Sequence, residues 1–99
     1  MKALALLLLA AAPASADLVL GQGQTELRLM PGPCVHVATM IRIHPDHRPR
    51  FRKMQATVSG KLFFGCWTEL AEDRAAYILM EGSPGFAVPM ASLRDEPGA

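Results

Sequence analysis

The sequence predicts a mostly β protein with one short helix: a small antiparallel meander or partly closed barrel, stapled by one disulfide. Three observations carry that expectation. Short apolar runs of strand length recur between Gly- and Pro-bearing turns from Thr25 to Pro89. The run Leu62 to Glu69 carries large apolar groups on both faces, Leu62, Phe64 and Cys66 on one and Phe63 and Trp67 on the other, which suits a strand inside a sheet. Cys34 and Cys66 are the 2 cysteines, and an export signal ahead of them places the pair in an oxidising compartment, where a bond between them is expected.

The signal is read from the first residues. Met1-Lys2 precedes an unbroken apolar run from Ala3 to Ala12, followed by Pro13-Ala14-Ser15-Ala16. A cationic start, an apolar stretch and an Ala-x-Ala site at Ala14 and Ala16 predict a signal peptide over residues 1–16 and one mature domain over 17–99. The apolar run is too short for a bilayer, which needs about 20 residues. No second such run follows, so no membrane span is expected after cleavage, and a periplasmic or secreted location is. The full chain has 10 Lys+Arg against 9 Asp+Glu, and loss of Lys2 balances them. A neutral domain has no general electrostatic pull on nucleic acid. A mature chain this small is near the low end for a self-sufficient core. One bridge would contribute about 3–4 kcal/mol to its stability.

Each element follows from local chemistry. Leu18-Val19-Leu20 and the alternating run Thr25 to Met30 form an expected hairpin, turned at Gly21-Gln22-Gly23. Pro31-Gly32-Pro33 is expected to stop the second strand, because two prolines lack the N–H a ladder needs. Residues 35–44 read two ways. Val37, Met40, Ile41 and His44 follow helical spacing, whereas Val35, Val37, Ile41 and Ile43 suit a strand; the flanking prolines favour a short helix. Pro45 to Pro49 is a turn or one helical turn, and Gln55 to Ser59 a strand. Gly60-Lys61 turns into the central strand, and Ala71 to Arg74 into a strand over Ala75 to Glu81. Gly82 to Gly85 leads to a last strand, Phe86 to Pro89. Ser92-Leu93 reads as a single helical turn with Leu93 inward, and Asp95 to Ala99 as a frayed tail.

The order of these features carries a resemblance. Pro33-Cys34, Arg48-Pro49-Arg50-Phe51, Gly65-Cys66-Trp67, Tyr77 to Gly82 and Pro89 follow the signal in sequence. Together they resemble a group of small uncharacterised exported proteins of proteobacteria and their phages or prophages. The resemblance implies compartment and architecture, and no catalytic role for any position.

Candidate chemistry is sparse. Arg48, Arg50, Arg52 and Lys53, with Arg42 and His47 nearby, form the most polarised stretch and a possible patch for an anionic partner. The ordinary alternative is a solvated turn whose arginines pair with Glu69, Glu72 and Asp73. His36, His44, Asp46 and His47 are metal-ligand types, but Pro45 breaks the helix that would align them and both cysteines are committed, so no metal is assigned. The methionines lack the clustering of a copper carrier and read as core fillers. Ser59, Ser83 and Ser92 sit in no nucleophile motif, and Gly21-Gln22-Gly23 lacks the Lys and helix of a phosphate loop. The expected protein is not an enzyme and uses no cofactor. It is a binding or structural domain of the cell envelope, with a protein or envelope component as partner. The alternative is an exported inhibitor or exclusion factor acting on a cell-wall hydrolase or a phage step.

Overall fold

A computed structural model describes residues 16–97. All of the expected signal peptide except Ala16 lies outside that range. The strands are β1 (Ala16–Gln22), β2 (Thr25–Pro33), β3 (Arg52–Val58), β4 (Lys61–Leu70), β5 (Ala75–Met80), β6 (Phe86–Pro89) and β7 (Arg94–Pro97). They form one 7-stranded sheet in the order β6-β5-β4-β3-β2-β1-β7, and every pairing is antiparallel. The expected mostly β meander is the observed fold.

Strand alternation divides the side chains between two faces. Leu27 and Leu29 of β2 sit opposite Ala56 and Met54 of β3. These continue across to Phe63 and Gly65 of β4 and, through Trp67, to Ile78 of β5. Val88 of β6 joins Leu27, Leu29, Met54, Ala56, Trp67, Ala76 and Ile78 in one buried cluster. Strands that are distant in sheet order therefore meet over a concave face: Leu20 of β1, Leu27 of β2 and Val88 of β6 line one cleft. The sheet is a curled half-barrel around this core. Burial of such side chains is worth about 1.5–3 kcal/mol each before chain entropy is counted.

Gly65 permits the curl. It faces the concave side between Phe63 and Trp67, opposite Met80. A Cβ there would press on the Leu79 carbonyl oxygen and lie 2.6 Å from the Met80 Cα. Only glycine lets β4 and β5 approach so closely.

Part of the convex face is covered by an excursion between β2 and β3, while Leu62 and Phe64 on the same face of β4 stay exposed. The Cys34 N–H donates to the Phe51 carbonyl at 3.1 Å, closing its two ends. Inside lie a one-turn helix, α1 (Val37–Met40), and a 3-10 helix, Pro45–Arg50. The Cys34–Cys66 disulfide, with a Cα–Cα distance of 5.5 Å, staples the start of the excursion to β4. Cys34, Ile43, Phe51, Cys66 and Leu79 form a second buried cluster beneath it, with Met40 and Tyr77 at its margin.

Several expectations change. The first turn lies at Gly23-Gln24, with Gln22 facing Thr25. Pro31-Gly32-Pro33 does not end β2: the register shifts between Leu29 and Pro33, and pairing resumes at Pro33 with Arg52. A bulge removes ladder positions just where proline has no N–H to offer. Residues 37–40 are helical, but the inward face is not the expected one. Val37 and Ile41 are 70% and 68% exposed, whereas Thr39 and Ile43 are buried. One helical turn has too little periodicity to choose its face, so its attachments at Cys34 and Ile43 choose it. The buried Thr39 hydroxyl is satisfied by His36 Nδ1 at 2.7 Å. The tail is paired as far as it is described: Arg94–Pro97 runs beside β1 as β7, and Glu96 meets Arg28 at 3.0 Å, while residues 98–99 lie outside the described residues. A 3-10 turn over Met90–Ser92 precedes it, and Leu93 packs against the concave core as expected.

Candidate ligand-binding cleft

A cleft of about 510 Å³ opens where the excursion meets the ends of β4 and β5. Ile43, Phe51, Tyr77 and Leu79 supply apolar surface, with Leu70 and Pro84 beside them. Ile43, Phe51 and Leu79 belong to the buried cluster around the disulfide, so the bridge fixes this surface. Arg42, His47, Arg50, Thr68 and Glu69 supply the polar groups.

Three contacts position that rim. Arg42 donates from Nη1 to the Met80 carbonyl at 3.1 Å and from Nη2 to the Ser83 carbonyl at 2.6 Å, which ties the end of α1 to the β5–β6 turn. Thr68 donates from Oγ1 to the Arg50 carbonyl at 3.2 Å, holding the 3-10 helix against β4. Arg48 donates from Nε to the Ile43 carbonyl at 2.9 Å, bracing the excursion internally. In the β5–β6 turn Gly85 has φ +103°, and a Cβ on it would lie 2.6 Å from the Tyr77 hydroxyl oxygen. Glycine there leaves room for the Tyr77 ring.

The basic run does not form one patch. Arg50 lines this cleft. Arg52 sits on the other face, its guanidinium carbon 5.7 Å from the Trp67 ring centroid. Lys53 points back to the convex side, where it lines a groove with Val35, His36 and Phe64. Arg48 is used within the excursion. Successive residues of a strand face opposite ways, so a run of charges entering β3 is divided between the faces. Among the described residues, none of the four forms a salt bridge with Glu69, Glu72 or Asp73.

The histidines are dispersed as well. His36 Nε2 lies 4.0 Å from Glu81 Oε2, and His44 Nδ1 accepts the Asp46 N–H at 3.1 Å. The His44 and His47 rings are 5.7 Å apart. Among the described residues no group of three or more His, Cys, Asp or Glu side chains converges as a metal site. Sequence reading had no means of finding Phe51, Thr68, Glu69 and Tyr77 as cleft residues, because they come together only when β4 and β5 meet the excursion.

The Cys34–Cys66 bond in a small β fold is compatible with an extracytoplasmic location. Among the described residues no helix is long and apolar enough to cross a membrane. Comparison of the chain with protein-family models, curated proteins and solved structures finds no match.

Proposed function

We propose that this chain is an exported, non-catalytic binding domain, acting in the periplasm or outside the cell, that holds a ligand or partner group in the cleft beside its stapled excursion. The cleft itself carries this reading: a concave, largely apolar surface with a few convergent polar groups is the usual form of a binding site. Its residues fit binding better than attack on a substrate. Thr68, the one hydroxyl of Ser or Thr type lining the cleft, is committed to the Arg50 carbonyl, and His47 and Glu69 stand there without a cysteine or serine to activate. The test is amide NMR of the 17–99 chain titrated with soluble cell-wall fragments and envelope extracts. Shifts are expected at Ile43, Phe51, Tyr77 and Leu79. Binding that maps wholly elsewhere would remove the cleft from this role.

An exported inhibitor is the second reading, and the 3-10 helix Pro45–Arg50 favours it. None of its residues is buried, Pro45 and Pro49 stiffen it, and the Phe51 N–H closes it on the Arg48 carbonyl at 3.1 Å. A stiff, exposed loop suits insertion into an enzyme cleft. The mature protein would then slow a cell-wall hydrolase in a turbidity assay, and His47→Ala with Arg50→Ala would relieve the block.

A further inference from the structure

We infer that the cleft selects a small organic monoanion, a carboxylate carried on an aryl or alkyl body; this rests on the binding reading above. The body is matched by the apolar surface of Ile43, Phe51, Tyr77 and Leu79. The charge is matched by two guanidinium groups. Arg42 is immobilised by the Met80 and Ser83 carbonyls, which leaves its remaining N–H donors in a fixed direction. Arg50 has its backbone held to β4 through Thr68.

Among the described residues neither arginine has a carboxylate within 4.0 Å, whereas Arg28 has three and Arg94 has one. The cationic groups of the β1–β2–β7 side are thus neutralised, and those of the cleft are not. Glu69 is the single carboxylate lining the cleft. With His47 counted as neutral, two arginines against one glutamate leave an excess of one positive charge, which a monoanion balances. A planar carboxylate also suits the guanidinium fork.

The experiment compares 4-phenylbutyrate, its neutral counterpart 4-phenylbutan-1-ol and inorganic phosphate by amide NMR and calorimetry on the 17–99 chain at low salt. The acid is expected to shift Ile43, Phe51, Tyr77 and Leu79 and to bind about tenfold or more tightly than the alcohol, the scale of a charged hydrogen bond. Arg50→Ala should bring the acid to the level of the alcohol. Arg52→Ala, which removes a neighbouring charge on the opposite face, should leave the preference intact. Equal binding of acid and alcohol in the cleft overturns anion selection while the binding reading stands. Phosphate outcompeting the acid overturns the apolar-body requirement. Equal effects of the two arginine substitutions reduce the preference to net charge and also overturn the assignment. Silence at the four cleft positions with every probe overturns it too; the binding reading falls separately, if envelope fragments leave them silent as well.

Discussion

The indole Nε1–H of Trp67 donates to the carbonyl of Met30 at 3.0 Å, joining β4 to the bulge of β2. The register passes from Leu29 opposite Met54 to Pro33 opposite Arg52, and Met30 has no cross-strand partner between them. The buried tryptophan thus satisfies a carbonyl that the bulge orphaned. Trp67→Phe keeps an aromatic ring but removes the donor. It is expected to lower stability by about 1 kcal/mol, the net worth of a hydrogen bond to a partly buried acceptor. Urea unfolding followed by circular dichroism measures it, and a wild-type midpoint would show the bond to be idle.

Gly65→Ala should be among the most damaging small changes in the sheet. The new methyl meets the backbone of β5, which cannot swing aside as a side chain can. Overpacking of this kind costs about 1–3 kcal/mol. A thermal melt is sufficient to check it, with Gly21→Ala as control, since a Cβ at Gly21 meets nothing within 4 Å.

Cys34→Ser and Cys66→Ser are each expected to cost about 2–5 kcal/mol. The double variant should cost about the same, because one bond is lost in each case. The loss has a direction. Cys66 and Trp67 are neighbours on opposite faces, and Phe64 is already 42% exposed. Loss of the bridge is therefore expected to expose Ile43, Phe51 and Leu79, the residues clustered around it. Hydrogen exchange should accelerate across 34–51 before the concave core. Uniform acceleration through β2 and β3 would argue against a local staple.

Arg28 binds Asp17 at 2.9 Å and Glu96 at 3.0 Å, and Glu26 lies 3.6 Å away. The hydrogen bond to Asp17, then that to Glu96, raises the Arg28 pKa. Arg94, then Arg28, holds the Glu96 carboxyl below the usual glutamate range. A lowered folded pKa contributes stability that is present above the unfolded value, about 4.3, and is lost as pH falls through the folded one. The melting temperature of the wild type should therefore exceed that of Glu96→Gln near neutrality, and the gap should shrink below about pH 4.3. A gap that stays constant from neutral to acid pH would show that this pair does not anchor β7.

The basic run should respond residue by residue. Lys53→Ser and Arg50→Ser are surface changes expected within about 0.5 kcal/mol of wild type. Arg48→Ser loses the hydrogen bond to the Ile43 carbonyl and should cost about 1 kcal/mol. Denaturant midpoints for the single variants test this, and equal values for all three would deny Arg48 its bracing role.

The sequence by itself determined the strands whose pattern is local. Leu27 and Leu29 alternate with Glu26 and Arg28, and Phe63 to Trp67 load both faces of β4, so strand character and side-chain direction follow from a period of two. The two cysteines, read beside an export signal, likewise left one pairing. Tertiary structure decided whatever needs a distant partner. Residues 94–97 carry no strand pattern of their own, and became β7 because β1 offers an unpaired edge and Arg28 a counter-charge for Glu96. The inward face of α1 was set by the disulfide and Ile43, since four residues cannot define a helical stripe. The cleft draws on the excursion, β4 and β5, segments distant in sequence, and of the charges clustered at 48–53 the pleat of β3 parted Arg52 from Lys53, while Arg48 and Arg50 stayed in the 3-10 helix. Local periodicity fixes which way a side chain leaves the backbone; what lies opposite depends on long-range pairing and on the covalent staple that brings Cys34 to Cys66.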